Sequence, residues 1–310
     1  CNQIKNALDV CIQLNQWETA MALAKTHEIP DVDKLLEKYM EQLLEDSERH
    51  LIAVQLYRKA GRYLDAAKFV FGLAAELKTK CNKPLNLKKI YVLGALLIEQ
   101  YHKQNAEKQS QKNGKTQEAL SGLLEEESAI SITDSRIIDN AWRGAEAYHF
   151  YILAQCQLHD GDIDASMKTA LHLAEYDEIL DPQEVYSLIA LTSCANRQFN
   201  VCSRAFIKLE SLESFTKEQR EEYEALALSI FIKFNPKDSR VNKVECTGCE
   251  TLISDYAQTC PSCETRFPTC IVTGRPLVDY QFWLCPTCKH QAYEQEIVGQ
   301  SQCPLCHTPL

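Results

Sequence analysis

The sequence predicts an all-α chain of paired helices over residues 1–240, closed by a small cysteine-rich domain that a metal holds together. Three observations predict it. Apolar residues recur at helical spacing through the first part, with glycine and proline confined to the joints. A short turn pattern repeats at four of those joints. Nine of the fifteen cysteines fall within 246–310, eight of them as four Cys-x-x-Cys pairs.

At 310 residues the chain has room for two domains, and its 45% apolar content is ordinary for a globular protein. No apolar run is long enough to span a membrane, so direct membrane insertion is not expected. The opening reads as mid-helix, and the chain is expected to be a piece of a longer protein. A net charge of −10 and a pI near 5.4 disfavour a general nucleic-acid binder. The tail adds only Arg266, Arg275 and Lys289 as full cations, which also counts against a nucleic-acid-reading module.

Taken in order, Ile4, Leu8, Cys11 and Ile12 mark a first helical face. A second helix starts near Trp17 and stops at Ile29-Pro30. Asp31 can cap a third, with Leu35, Leu36, Tyr39, Leu43 and Leu44 on its face. Helices over 47–60 and 62–78 follow, and Pro84 opens another through Ile90, Leu93, Leu97 and Tyr101. Residues 103–131 are polar, with Gly114 and Gly122, and are expected to be a disordered insertion. Within it, Leu120, Leu123 and Leu124 are spaced for one docking turn. The helical pattern resumes near Ser135. Asp181-Pro182 reads as an N-cap followed by proline at the first helical position. The last long helix is expected over 217–234, and 235–240 reads as a linker.

The joints share a form: turn residue, polar residue, large apolar residue, two spacers, small residue. Asn15 to Ala20, Gly61 to Ala66, Gly161 to Ser166 and, more weakly, Arg197 to Cys202 all follow it. This is the joint of a degenerate tetratricopeptide-like helix pair, and a series of such pairs makes an all-α solenoid that exposes binding surface. Nothing in this part argues for catalysis. It has no phosphate-cradling glycine loop, no nucleophile elbow and no His-Glu-x-x-His. His27, His50, His102, His149, His159 and His172 lack metal spacing.

The tail carries the chemistry. Cys246/Cys249, Cys260/Cys263, Cys285/Cys288 and Cys303/Cys306 each place two thiolates on one tight turn, and two such turns complete a tetrahedral sulfur site suited to zinc. Three of the pairs read Cys-Pro-x-Cys and the first reads Cys-Thr-Gly-Cys, both compatible with a tight turn. So small a domain, poor in large apolar residues, needs such a staple to fold. Two structural zinc ions are expected rather than disulfides. Pairing of neighbours gives two zinc ribbons, whereas alternating pairing gives a RING-like cross-brace. In the cross-brace Cys270 can replace a ligand; otherwise it is a buried thiol. His290 and His307 read as surface or supporting residues, and Phe267, Phe282 and Trp283 as a small core beside the metals.

Two segments carry a resemblance to a family. One is Ala53-Val54-Gln55-Leu56-Tyr57-Arg58-Lys59-Ala60-Gly61-Arg62-Tyr63, followed by Asp65-Ala66-Ala67. The other comprises Phe267 to Arg275 and Trp283-Leu284-Cys285-Pro286-Thr287-Cys288-Lys289-His290. With the overall layout, they resemble the C-terminal part of intraflagellar transport complex A subunits. The resemblance implies WD-repeat propellers upstream of this segment and a non-enzymatic scaffold role. That role lies in retrograde ciliary transport and in the entry of membrane proteins into cilia. It implies other complex A subunits and ciliary membrane cargo adaptors as partners. The implied locations are the cilium, with its axoneme and basal body, and the cytoplasm. A cross-braced tail would favour a different reading, a ubiquitin-ligase component with a substrate-binding solenoid.

Overall fold

A computed structural model of the chain describes residues 50–80, 83–112, 132–237, 242–279 and 281–310, with single positions before residue 50. The helices expected before residue 47 and the leucines of the docking turn lie outside the described residues, apart from those single positions. The chain divides into two compact units, one of residues 1–81 and 93–141 and the other of residues 82–92 and 142–310. The tail expected as a domain from residue 246 therefore shares a compact unit with the helices from Trp142 onward.

In the first unit, helices α1 (His50–Lys59) and α2 (Tyr63–Lys80) pack against each other. They bury Ala53, Val54 and Leu56 of the one and Ala66, Ala67, Val70 and Ala74 of the other. Helix α3 (Pro84–Lys112) opens at the expected proline. It runs through Lys112, ten residues into the stretch expected to be disordered. From Leu93 onward it belongs to this unit. Helix α4 (Ile132–Asp139) is joined to α2 by the Lys68–Asp134 ion pair at 2.7 Å.

The second unit carries α5 (Arg143–Asp160), α6 (Ile163–Leu173), a 3-10 turn (Ala174–Tyr176), α7 (Pro182–Ala195), α8 (Phe199–Glu210) and α9 (Lys217–Phe231). Each α-helix packs on its chain neighbour, as expected of a solenoid. Asp181 caps α7 by accepting the Gln183 N–H at 3.1 Å. Thr216 and Gln219 cap α9 reciprocally, a capping box that the sequence reading passed over.

The four joints are alike in the backbone. In each, the residue after the turn position donates its N–H to a carbonyl five residues back: Gln16 to Cys11, Arg62 to Tyr57, Asp162 to Gln157 and Gln198 to Ser193, all at 2.8–2.9 Å. At the last three joints this closes the preceding helix on a left-handed residue before the donor. Gly61 and Gly161 take that place at φ 73° and 87°. Arg197 takes it at φ 59° with a side chain that disfavours it, which is why the fourth copy looked weak.

Two short hairpins and a set of isolated bridges build the tail. Strands β1 (Lys243–Glu245) and β2 (Leu252–Ser254) pair antiparallel, as do β3 (Phe282–Leu284) and β4 (Gln291–Tyr293), and a short helix α10 (Glu294–Ile297) follows. Replacing Arg197 by Gly is expected to raise the stability of the second unit by about 0.5–1 kcal/mol, and Gly161→Ala to lower it by about 1 kcal/mol. Urea unfolding followed by helical circular dichroism checks both.

Candidate metal centre

Each Cys-x-x-Cys pair sits on a turn built the same way. The N–H of the first cysteine donates to the carbonyl five residues on, and the N–H of the residue four on returns to the cysteine carbonyl. For Cys246 these bonds are 3.0 Å to Thr251 O and 2.8 Å from Glu250 N. For Cys260, Cys285 and Cys303 they fall between 2.9 and 3.1 Å. The residue after each pair is left-handed: Glu250, Glu264, Lys289 and His307, at φ 58–61°. Four strained non-glycine positions in one small domain mark a backbone held by something stronger than local preference.

The turns bring neighbouring pairs together. Cys246 lies 3.6 Å from Cys263 and Cys249 3.6 Å from Cys260, sulfur to sulfur. In the second cluster Cys285 and Cys306 are 3.6 Å apart, and Cys288 and Cys303 3.8 Å. Within each cluster all four sulfurs lie within 4.8 Å of one another. A zinc ion at about 2.3 Å from each ligand sets tetrahedral sulfur–sulfur edges of about 3.8 Å, whereas a disulfide is about 2.05 Å. The spacing therefore fits a metal and not a bond. The cross-braced pairing is not the one formed, so the ligase reading that depended on it loses its basis. Cys270 is free, fully buried and outside both clusters.

Electrostatics agrees with the donor chemistry. Burial pushes the Cys246 thiol up to about 11, while the Thr251 hydroxyl and N–H bring Cys249 down to about 6. In the second cluster the sulfurs of Cys303 and Cys306 push Cys288 up, and Cys288 and Cys303 bring Cys306 down. Crowded sulfurs share protons unevenly; a divalent cation lets all four be thiolates.

A fifth turn of the same construction went unread in the sequence. Cys270 donates to Arg275 O at 2.9 Å, Gly274 returns to Cys270 O at 2.8 Å, and Gly274 is left-handed at φ 72°. Thr273 stands where the second cysteine would be. The repeated Thr-Cys at 259–260 and 269–270 was the available signal. This turn fastens the tail to the helices instead of binding metal. Gln157 of α5 donates to Thr273 O at 2.9 Å, and His149 Nε2 donates to Ile271 O at 2.6 Å. Lys88, at the start of α3, likewise donates to Pro304 O on the last metal turn at 2.9 Å.

Side chains complete the attachment. Lys168, 7% exposed, bridges Asp164 of its own helix and Asp255 of the first ribbon at 2.6 and 2.5 Å. A hydrogen-bond chain crosses the helices from one ribbon to the other. Gln258 meets His172 Nδ1 at 2.5 Å, and His172 Nε2 meets the Tyr176 hydroxyl at 3.2 Å. Tyr176 donates to Glu146 at 2.9 Å, and Glu146 meets His290 Nε2 at 2.5 Å. The Nδ1 of His290 faces Cys288 O at 2.7 Å, so His290 supports the second cluster rather than lying free at the surface. Burial alone would push the Glu146 carboxyl up, but the His290 and Tyr176 hydrogen bonds hold it below its ordinary range.

The apolar contribution is placed differently from what was expected: among the described residues, Ile253, Phe267, Ile271, Leu277 and Leu305 are the large apolar side chains that the tail buries. Phe267 packs with Ile253 beside the first cluster. Phe282, by contrast, is exposed and Trp283 only half-buried, in a sheet of just two strands.

Comparison with known proteins locates the resemblance. Residues 139–238 match a family model described as "IFT121-like, TPR repeats", and residues 30–100 one described as "WD repeat-containing protein 35, TPR repeats". Residues 268–310 match "IFT121, second zinc finger domain". The whole chain is 50% identical to WD repeat-containing protein 35 of Rattus norvegicus, covering 26% of it, and to that of Homo sapiens, covering 25%. A 76-residue stretch, 23% of the chain, is 32% identical to WD repeat-containing protein dyf-2 of Caenorhabditis elegans, covering 6% of it. The chain thus spans about a quarter of the length of the curated relatives it matches in full. Tetratricopeptide-like helices followed by a C-terminal zinc finger domain with two four-cysteine clusters are what the matches and the described residues give.

Two expectations follow. At Gly274 an added Cβ would lie 2.0 Å from Thr169 Oγ1, with a left-handed φ besides. Gly274→Ala should cost about 2–4 kcal/mol of attachment and open the tail to proteolysis while both metal clusters stay loaded. His149 is buried and neutral, held down to about 3 by desolvation and by Lys88. Its unfolded form binds a proton near pH 6.5, so its contribution is complete above that pH and is lost as pH falls toward 3. His149→Gln, which keeps a donor for Ile271 O, should flatten the pH dependence of urea stability in that window by up to about 1.4 kcal/mol per pH unit.

Proposed function

We propose that this chain is a C-terminal, non-enzymatic scaffold segment of an intraflagellar transport A subunit like WD repeat-containing protein 35. The observation that carries the reading is 50% identity over the whole chain, helices and zinc tail together. The helices supply protein-binding surface for other intraflagellar transport A subunits and for ciliary membrane cargo adaptors. The role is retrograde ciliary transport and membrane-protein entry, carried out at the axoneme and basal body and in the cytoplasm.

In this reading Cys246, Cys249, Cys260 and Cys263 hold one structural zinc ion, and Cys285, Cys288, Cys303 and Cys306 hold a second. The metals supply folding energy to the tail; four sulfurs close each coordination sphere and leave no position for a substrate. The chain's own residues then do the positioning. Lys168, Gln258 and His149 hold the first ribbon and the fifth turn on α5 and α6, and His290 and Lys88 hold the second ribbon.

Native mass spectrometry should find two zinc ions per chain, one in Cys249→Ser and one in Cys288→Ser; a single zinc in the unaltered chain would contradict the assignment. Used as bait in an extract of ciliated cells, the chain should recover other intraflagellar transport A subunits, and the double variant should lose them. Recovery of ubiquitin-conjugating enzymes without transport subunits would overturn the scaffold reading.

A further inference from the structure

A cleft of about 370 Å³ opens within the second unit, between the first turns of α5, the 3-10 turn after α6 and the metal turns. Arg143, Arg266 and Lys289 line it, against only two carboxylates, Glu146 and Glu175. Arg143 is taken up by Glu178 at 2.6 Å, so the cations that the cleft offers a partner are Arg266 and Lys289. We propose that the cleft is a docking site for a short acidic segment of a partner protein. The proposal deepens the scaffold reading and rests on it for the kind of partner.

Four observations carry it. The cleft already accepts a carboxylate: Arg266 holds Glu175 Oε2 at 2.6 Å, with His172 Nδ1 3.9 Å away. That pair uses one guanidinium nitrogen among the described contacts, and the Arg266 side chain stays 69% exposed. Lys289 is also exposed, its ammonium resting only on Pro286 O at 2.7 Å among the described contacts. Glu146 repels less than its charge suggests, because His290 and Tyr176 occupy its two oxygens.

The fourth observation separates a peptide from a simple anion. Gln291 Oε1, in the wall of the cleft, is buried without a hydrogen-bond partner. A buried acceptor left unpaired costs about 1–3 kcal/mol, and an N–H that reaches it recovers that cost. A peptide backbone brings such donors alongside its carboxylates; inorganic phosphate does not offer them in that pattern. The size falls within the range of ordinary ligand clefts. Rim cations of this kind set specificity and association rate and are screened by salt.

The test is fluorescence anisotropy with the zinc-loaded chain and a labelled hexapeptide of alternating aspartate and phenylalanine. The expected result is saturable binding that weakens about tenfold in Arg266→Glu and in Gln291→Leu, and weakens as salt rises from about 50 to 300 mM. Zinc content and helical circular dichroism should match the unaltered chain in both variants. A lysine hexapeptide should not bind. Equal binding by Arg266→Glu, equal binding of the lysine peptide, or complete displacement by millimolar phosphate would overturn the proposal. Running Arg266→Glu through the ciliary-extract recovery keeps the two readings apart. Subunits recovered by the unaltered chain without any peptide binding sink the cleft and leave the scaffold. Peptide binding without recovered subunits does the reverse.

Discussion

Four sulfurs held 3.6–3.8 Å apart along paired edges are the constraint on which the tail depends. No sheet larger than two strands forms among its described residues, and Phe282, Leu284, Leu252 and Val298 stay exposed. Apolar burial of that size cannot order about sixty residues. The turns nevertheless share one hydrogen-bond geometry and one left-handed corner, and non-glycine residues hold that corner in all four metal turns. A metal held by two turns at once would explain how such corners persist, since each cluster would then penalise any relaxation of either turn.

The fifth turn shows what the same backbone does without the second sulfur. With Thr273 in the place of a cysteine, it turns its carbonyls toward α5 and receives Gln157 and His149. Its glycine corner lets it approach Thr169 more closely than any side chain permits. Around it, Lys168 and the hydrogen-bond chain from Gln258 to His290 tie both ribbons to one helix pair. Buried polar groups so arranged specify a single seating, because moving the tail would strand several of them at once. The four-cysteine tail and the helices of this unit thereby present one surface of fixed geometry.

Much of this was legible in the sequence, for identifiable reasons. The Cys-x-x-Cys spacing marked the cysteines that cluster, and the joint pattern around Gly61 and Gly161 marked where helices end, since both follow from local backbone geometry. Proline at 84 and the Asp181-Pro182 cap located helix starts for the same reason. Less legible was whatever depends on distant partners. Phe282 reads as core from its type, but only the three-dimensional structure shows that it stays exposed. The polarity after residue 103 argued against helix, yet α3 continues through Lys112 because Gln, Lys and Glu are good helix formers. The joining of tail to helices rests on His149, His172 and Glu146, scattered residues whose convergence no spacing announces.

The most direct test of this account is hydrogen–deuterium exchange of the whole chain before and after zinc is removed by a chelator. If the metal-stapled tail is seated on its helices as one unit, protection is lost together in the five turns and in α5 and α6, while α1 and α2 keep theirs. Loss confined to residues 243–310, with α5 and α6 unchanged, would contradict it and make the tail an independent domain.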